Sequence, residues 1–403
     1  MKNNLVLGLA LFAILVSCTT DDTADIIIND YSDNSVTNNT TTGGGTTPTG
    51  QTIYLSGNYD QNLTLDPINT YILNGPLIMN SGTTLTIPAG MTIKALASGA
   101  SVYIAISQGA KIDAQGTAAE PIVLTSNASS PAPGDWGGLI ILGKAPINSV
   151  AAGSTSTSEI GSLPYGGTNA SDDSGIIKYV RVEYSGGAAD GSSENNGFSF
   201  YGVGNGTLVD YIESYAGKDD GAEFFGGTVN VSHYAAIDNQ DDSIDWTEGF
   251  SGSVTDAYVK HGADHDHGIE ADGYNSDYGN NIVPKFWSNP TLTNITIIGN
   301  GSGVASSDAI RLRVGTMGTL KNIYIKGFQK GFEIVGDAGD NPTGAWVLDG
   351  SLHATDVTFD DVTPTKVEDK CDPENFTDAN FITGDGNATQ TDYATWGAGW
   401  TKN

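Results

Sequence analysis

The sequence predicts an all-β fold, a right-handed parallel β-helix, and two observations predict it. A four-residue pattern, in which a tight-turn residue is followed by an apolar, a polar and an apolar residue, recurs at spacings of 22 to 25 residues with one step of 41. A second apolar strand segment accompanies each copy, and Gly, Asn and Asp separate the two segments. Short strands at a constant spacing are what a solenoid of stacked parallel strands requires.

The four-residue pattern defines the first series of strands. Side chains alternate along a strand, so the two apolar positions of each copy point inward and the polar position between them points outward. We therefore expect two inward apolar columns and one outward polar column along the solenoid. The copies are Gly197-Phe198-Ser199-Phe200, Gly221-Ala222-Glu223-Phe224, Ser243-Ile244-Asp245-Trp246, Gly268-Ile269-Glu270-Ala271, Ala309-Ile310-Arg311-Leu312 and Gly331-Phe332-Glu333-Ile334.

A second series of strands is predicted at residues 180–184, 209–212, 231–235, 254–259, 292–297 and 320–325. The segments Leu85-Thr86-Ile87-Pro88-Ala89-Gly90 and Ile93-Lys94-Ala95-Leu96 are typical of the first coils of the same helix. A β-sandwich of short strands is the alternative architecture. It does not need one register to persist over so many strands, so we favour the solenoid.

The N-terminus predicts a lipoprotein signal peptide over residues 1–17. A single cation, Lys2, precedes an uncharged apolar run that is short for a permanent membrane span, and the run ends in Leu15-Val16-Ser17-Cys18. We expect Cys18 to carry the lipid anchor, which holds the chain stably because several acyl chains are buried in the bilayer. An ordinary secretory signal with an incidental cysteine is the alternative.

Residues 18–50 predict a disordered stalk, because Thr, Asn, Ser, Gly and Asp dominate and too little apolar surface is available for folding. Thr19-Thr20-Asp21-Asp22 resembles the acidic export tag that Bacteroidota place behind a lipidated cysteine. This resemblance implies the outer membrane and exposure at the cell surface, with a periplasm-facing anchor as the alternative. Residues 51–403 show no second linker and are predicted to form a single β-helix domain.

The charge balance restricts the partners. The chain has 17 Lys and Arg against 47 Asp and Glu, a formal net charge of −30 at pH 7. Such a field disfavours nucleic acid and anionic lipid, and it favours cations or polar ligands such as glycans. The chain has two cysteines, and one is the predicted anchor, so no disulfide framework can stabilise the fold.

Several motifs carry a resemblance to a known family. They are Leu85-Thr86-Ile87-Pro88-Ala89-Gly90, Gly134-Asp135-Trp136-Gly137-Gly138-Leu139, Tyr165-Gly166-Gly167, Phe224-Phe225-Gly226-Gly227-Thr228-Val229, Asp241-Asp242-Ser243-Ile244-Asp245-Trp246 and Trp396-Gly397-Ala398-Gly399-Trp400-Thr401. Together they look like a family of surface or secreted β-helix lipoproteins common in Bacteroidota. The resemblance implies a pectin-lyase-like solenoid and indicates no particular activity.

Acidic residues fill the predicted outward column. A constant register places Glu223, Asp245 and Glu270 side by side at ~4.8 Å, and Arg311 and Glu333 continue the column. Two like charges ~5 Å apart repel by roughly 3 kcal/mol at an effective dielectric constant of about 20. A bound cation, a raised pKa or exposure to water must offset this repulsion.

Two more polar columns are predicted in the turn before each strand: Asp219, Asp241 and Asp266 in one, and Asp220, Asp242 and His267 in the other. We predict a Ca²⁺ site formed by Asp241, Asp245 and Glu270, since Ca²⁺ takes carboxylate oxygens. The wider set predicted to contact a cation or polar ligand is Glu223, Asp245, Glu270, Asp266 and Asp272. A solvated face of turn-forming residues is the alternative, and Zn²⁺ on His265, His267 and Asp264 is another.

The order of these residues also resembles polygalacturonase-type β-helix hydrolases, which carry Asn-Thr-Asp, Asp-Asp, Gly-His-Gly and Arg-Ile-Lys on successive coils. The resemblance implies a general acid at Asp242 or Asp220, a base that activates water at Asp219 or Asp241, a tuning role for His267, and a carboxylate-binding arginine at Arg311 or Arg313. No Asn-Thr precedes the first Asp, Asp replaces Gly before His267, and Arg replaces the final Lys.

Three functions therefore follow from the sequence. The first is a cell-surface lipoprotein that binds a cation, a glycan or both on its acidic face and serves adhesion or nutrient capture. The second is an inverting polysaccharide hydrolase that uses the same face. The third is a structural accessory of an outer-membrane transporter, for which we expect no ligand at all.

Overall fold

The computed structural model describes residues 50–188, 195–274, 286–305, 308–337, 339, 341–373 and 376–403. Within these residues, 22 strands form one sheet, and its strands pair in parallel from coil to coil. The predicted fold class, an all-β right-handed parallel β-helix, is confirmed. No helix of the described residues is long and apolar enough to cross a membrane.

The first coils begin where the N-terminal apolar motifs predict them. Leu85 of one strand lies beside Ile112 of the next coil, and Ile93 lies beside Leu124. The strands of this part are β1 (Thr52–Tyr59), β2 (Leu63–Thr64), β3 (Thr70–Met79), β4 (Thr84–Ile87), β5 (Thr92–Ala95), β6 (Ile104–Ile106), β7 (Lys111–Gln115), β8 (Ile122–Ser126) and β9 (Leu139–Leu142).

The middle coils contain both predicted series of strands. The short strands of the four-residue pattern are β13 (Phe198–Tyr201), β15 (Ala222–Phe225), β17 (Ile244–Thr247), β19 (Ile269–Asp272) and β21 (Ile310–Arg313). The second series is β12 (Gly175–Glu183), β14 (Leu208–Tyr215), β16 (Asn230–Ile237), β18 (Ser253–Lys260) and β20 (Thr291–Ile298). Both series continue into β22 (Gly318–Asp337) and β23 (Leu352–Asp372), which run without interruption through a coil.

The inward columns form the core. Ala222, Ile244, Ile269 and Ile310 pair in register and are fully buried. Aromatic rings stack along the same axis, with Phe224 between Phe200 (ring centroids 5.1 Å apart) and Phe250 (4.4 Å). Burying each such side chain stabilises the fold by roughly 1.5–3 kcal/mol. The core therefore fixes the coil-to-coil register and, with it, the outward column.

Each strand of the second series bends at a residue in the left-handed region. Tyr211, His233, Asp256 and Asn294 have φ between 50° and 59°, and the pairing between strands skips them. This backbone is strained for residues with a Cβ. Their side chains stack along the solenoid, since the Tyr211 and His233 rings lie 4.1 Å apart and Asn294 donates a hydrogen bond to Asp256. The stack offsets part of the strain.

An insertion after β9, residues 143–173, packs against the outer face of the sheet. It contains a small antiparallel pair, β10 (Ser156–Thr157) and β11 (Pro164–Tyr165). Its apolar side chains form a second cluster with Tyr201 and Phe225 of the short strands. The hydroxyls of Ser149 and Tyr165 donate to the buried Glu248 carboxylate, both at 2.8 Å. The insertion therefore lies at the C-terminal ends of the short strands, in the same coils as Glu223 and Asp245.

The C-terminal part contains α1 (Thr343–Asp349), α2 (Asp378–Phe381), β24 (Ile382–Asp385) and α3 (Tyr393–Trp396). Its last residues run back over the bends of the second series, where the Trp400 ring meets the Tyr179 ring edge-on. The backbone N–H of Lys402 donates to both carboxylate oxygens of the fully buried Glu213, at 2.9 and 3.0 Å. This segment lies on a different strand series from the acidic column.

Candidate functional site

The outward column has the predicted register. Glu223 pairs with Asp245, Asp245 with Glu270, Glu270 with Arg311, and Arg311 with Glu333. The column also extends one coil further in each direction, to Ser199 before Glu223 and to Glu368 after Glu333. The sequence analysis missed Glu368, because β23 lacks the turn residue that marks the other copies of the pattern.

The inner turn column is bound to the backbone. Asp242 N–H donates to Asp220 Oδ1 (2.9 Å), and His267 N–H donates to Asp242 Oδ1 (2.6 Å). The ring Nδ1 of His267 also lies 3.0 Å from Asp242 Oδ1. Each carboxylate therefore receives the N–H of the equivalent residue one coil further on. This arrangement holds Asp220 and Asp242 in fixed positions beside the strands.

The alternative of a solvated face does not describe this region. Asp219, Asp220, Asp242 and His267 are all buried, whereas the side chain of Asp266 remains 46% exposed. The turns are covered because each coil stacks directly on the next. Carboxylates at these positions have therefore lost most of their hydration, which is costly unless another group replaces it.

We call Asp219, Asp220, Glu223, Asp241, Asp242, Asp245 and Glu270 the acidic cluster. It contains three sets whose carboxylate oxygens lie within 4.8 Å of one another. They are Asp219, Asp220 and Asp241; Asp220, Glu223 and Asp245; and Asp242, Asp245 and Glu270. Of the predicted Ca²⁺ set, Asp245 and Glu270 lie together with Asp242, while Asp241 lies with Asp219 and Asp220. The reason is that Asp242 is one residue nearer to the strand.

Burial dominates the electrostatics of the acidic cluster. It raises the pKa of Glu223 well above its ordinary value, and the nearby charge of Asp245 raises it further. Burial likewise raises the pKa of Asp245, with added effects from Asp242 and Glu270. The pKa values of Asp220 and Asp242 are raised for the same two reasons, burial and neighbouring carboxylates. Full ionisation of the cluster therefore requires compensating positive charge.

Positive charge is supplied at one end of the cluster. Arg313 contacts both Glu270 and Asp272, with Nε 2.6 Å from Asp272 Oδ1. Arg311 Nη1 lies 3.5 Å from Glu270 Oε1, and its Nε lies 3.0 Å from Glu333 Oε1. Burial raises the pKa of Glu270 and of Asp272, while Arg313 acts to lower both.

Compensation is weaker at the other end of the cluster, where Arg313 acts to lower the pKa of Asp245 from a distance. Asn196 Nδ2 donates to Glu223 Oε2 at 2.8 Å. Within the part of the chain that the structure describes, Asp220, Glu223 and Asp245 form no ion pair with Lys or Arg. Asp245 Oδ1 is shielded from solvent and has no hydrogen-bond partner among these residues.

The predicted catalytic residues form two groups. Asp219, Asp220 and Asp241 lie together, and Asp242 lies beside His267, while Arg311 is one coil beyond Glu270 in the column. Oxygens within 4.8 Å of one another are closer than the ~6.5–9.5 Å between the carboxyl groups of an inverting pair. For the Zn²⁺ alternative, His267 is grouped with Asp242 and Asp266, and the His265 ring stacks on His261 instead.

Comparisons with known proteins complete the description. Residues 57–401 match the profile of a family described as the pectate-lyase like beta helix domain. Among solved structures, the chain is similar to the catalytic domain of a GH87 alpha-1,3-glucanase in complex with tetrasaccharides, at 10% identity and a TM-score of 0.31. That similarity covers 83% of this chain and 64% of the glucanase chain, less than two thirds of its length. No curated protein sequence matches significantly.

Proposed function

The chain belongs to the pectate-lyase-like β-helix family, and from that premise we propose that its acidic cluster binds Ca²⁺ and, through it, a carbohydrate. One observation carries the proposal. The buried Asp245 Oδ1 has no hydrogen-bond partner among the described residues, and Asp245 belongs to a set whose oxygens lie within 4.8 Å of one another, with Asp220 and Glu223. A cation replaces the hydration that these carboxylates lost on folding.

Calcium fits this chemistry because it takes six to eight oxygen ligands, carboxylates among them, in flexible geometry. Asp220, Glu223 and Asp245 provide carboxylate oxygens on two neighbouring coils. They leave several coordination positions for water or for hydroxyl and carboxylate groups of a ligand. The cation then orients a sugar that the protein contacts from the same face.

The cellular role that we propose is adhesion or nutrient capture at the cell surface. In this proposal, residues 1–17 are removed, Cys18 is lipidated, and residues 18–50 hold the β-helix of residues 51–403 away from the outer membrane. Cys18 and the stalk up to residue 49 lie outside the described residues. The acidic net charge of −30 suits a cation-dependent ligand better than nucleic acid.

Calorimetric titration of the full chain with Ca²⁺ tests the proposal. We expect binding by the wild type and at least a tenfold loss of affinity in Glu223→Gln, which removes one ligand charge while keeping the side-chain shape. Glu368→Gln is the matched control, since Glu368 lies in the same column outside the acidic cluster, and its own group with Asp308 and Glu333 already contacts Lys330 and Lys370. Absence of Ca²⁺ binding by the wild type at millimolar concentration would refute the cation site.

The carbohydrate part needs a separate test. We expect the wild type to retain a subset of immobilised polysaccharides in Ca²⁺ and to release them when a chelator is added. Glu223→Gln should fail to retain them under either condition. Retention that is insensitive to the chelator would show that the ligand does not depend on the cation.

A hydrolase is the second candidate, and the raised pKa values of Asp220 and Asp242 favour it, because a carboxyl group protonated near neutral pH can act as a general acid. The spacing of Asp220 from Asp219 and Asp241, with oxygens within 4.8 Å, fits a retaining pair, at ~5–5.5 Å, better than an inverting one. We expect reducing ends to be released from a polysaccharide, and Asp242→Asn to abolish turnover. A chain that neither binds nor cleaves carbohydrate is consistent with the third proposal, a structural accessory of an outer-membrane transporter.

A further inference from the structure

We propose that the acidic cluster holds two divalent cations that share Asp245 as a bridging carboxylate. This inference rests on the proposed function and adds a second position to it. The first position is formed by Asp220, Glu223 and Asp245, and the second by Asp242, Asp245 and Glu270.

The register of the solenoid places the two positions side by side. Glu223, Asp245 and Glu270 are successive members of one column, so Asp245 faces one neighbour on each side. Adjacent strands are ~4.8 Å apart, which is close to the ~3.5–4 Å between the ions of two-metal sites. The middle member of three stacked carboxylates is therefore the one that can reach both ions.

Hydrogen bonding distinguishes Asp245 from its neighbours. Asp220 accepts the N–H of Asp242, and Asp242 accepts the N–H of His267. Glu223 accepts a hydrogen bond from Asn196, and Glu270 Oε2 contacts Arg313. Asp245 Oδ1 is buried and accepts none from the described residues. Asp245 therefore has more acceptor capacity left for cations than its hydrogen-bonded neighbours.

The two positions should differ in affinity. Arg313 already contacts Glu270, and Arg311 lies 3.5 Å from Glu270 Oε1, so the second cation experiences repulsion that the first does not. We expect the position of Glu223 to fill first and the position of Glu270 to fill at higher Ca²⁺ concentration. The titration should therefore show two unequal steps.

The stoichiometry of Ca²⁺ binding to the full chain tests the inference. We expect two ions per wild-type chain, one in Glu223→Gln, one in Glu270→Gln, and none in Asp245→Asn at the concentrations that saturate the wild type. Glu368→Gln should retain two. One ion in the wild type, unaffected by Glu270→Gln, would overturn the bridged pair and leave the proposed function intact. No ion in the wild type would overturn both.

A spectroscopic measurement on the wild type does not depend on any variant folding. Mn²⁺ should replace Ca²⁺, and two Mn²⁺ ions that share a carboxylate couple magnetically, so the six-line resonance of an isolated ion should broaden strongly between the first and second equivalents. A signal that simply doubles in intensity would show two independent ions and would overturn the shared Asp245. Circular dichroism without metal should show that each variant keeps its β signal.

Discussion

The two halves of the outward column differ in how the charge of their carboxylates is compensated. In the acidic cluster, Glu223 and Asp245 are shielded from solvent with raised pKa values and without ion pairs to Lys or Arg in the described residues. Further along, Glu333 is also buried, which acts to raise its pKa, but hydrogen bonds from Lys370, Asp308 and Lys330 lower that pKa to about 2. In the half around Glu333, Lys and Arg side chains pair with the carboxylate, whereas among the described residues none pairs with Glu223 or Asp245.

This difference shows which carboxylates serve the fold and which are available to a ligand. A buried charge is stable when a partner compensates it, as Lys370 and Arg311 compensate Glu333. The fold can evidently build such pairs at outward positions of this column. Among the described residues Asp245 has no such ion pair, and this difference is the reason that we propose a cation site there.

The largest effect is expected from Arg311→Glu, which replaces the positive charge between Glu270 and Glu333 with a negative one. The change removes contacts to Glu270 and Glu333 and places a third carboxylate between them. Breaking a largely buried pair costs about 3 kcal/mol, which corresponds to a fall in Tm of roughly 4 °C for a chain of this size. Thermal melting in a chelator measures it. Arg311→Lys is the control, and an equal loss in that variant would mean that the geometry of the guanidinium, rather than its charge, matters.

The pH dependence of the calcium-free protein should also separate the two halves. Because the folded pKa values of Glu223 and Asp245 are raised, their favourable contribution is full below the unfolded values near 4 and is lost as the pH rises. The pKa of Glu333 is lowered to about 2, so its contribution is present above the unfolded value and lost as the pH falls.

We therefore expect Tm without calcium to fall by about 4 °C or more between pH 5 and pH 8, and saturating Ca²⁺ to remove most of that fall. Burial raises the pKa of Glu213, on another strand series, to about 8, which adds a fall of the same sign. The Glu213→Gln variant separates the two sources. A Tm that rises toward pH 8 in the chelator would contradict the electrostatic description of the cluster.

The same substitution should have opposite effects in the two halves. Without calcium, Glu223→Gln relieves repulsion and should raise the free energy of unfolding by about 1 kcal/mol. Glu333→Gln removes the acceptor of Lys370 and Lys330 and should lower it. In saturating Ca²⁺ the order of wild type and Glu223→Gln should reverse, because only the wild type gains binding energy. Paired melting curves with and without calcium test both statements.

The smallest effect is expected from Lys370→Met. The Lys370 side chain is 45% exposed, and Lys330 still contacts Glu333 after the change. The expected loss is about 0.5 kcal/mol and should diminish at high salt, as for other partly exposed pairs. A loss that is independent of salt would indicate that Lys370 acts through packing of its aliphatic chain.

Much of the architecture could be predicted because the strands and turns recur at regular intervals in the sequence. The in-out alternation around Ile244 and Asp245 fixed both the core column and the outward column, and the turn residues supplied the coil boundaries. The sequence could not indicate which Asp of an Asp-Asp pair turns toward the strand. That choice between Asp241 and Asp242 depends on the hydrogen bonds to the next coil.

Other features could not be predicted from the sequence, because they depend on tertiary contacts that leave no repeating pattern. Residues 143–173 have no repeat, so their packing on Tyr201 and Phe225 could not be foreseen. The burial of Asp219, Asp220 and Asp242 depends on stacking of whole coils, which a local pattern does not measure. The contact of Lys370 with Glu333 joins residues from different coils, and Lys residues show no periodic pattern in the sequence.

The sequence by itself determined the solenoid, its register and the presence of an acidic column, because alternation and repeat spacing are local properties of the chain. Only the tertiary structure decided which of those carboxylates are compensated. Ion pairs and desolvation depend on distances between coils. Glu333 and Asp245 occupy equivalent positions in the repeat, yet among the described residues Glu333 forms ion pairs with Lys and Arg and Asp245 forms none.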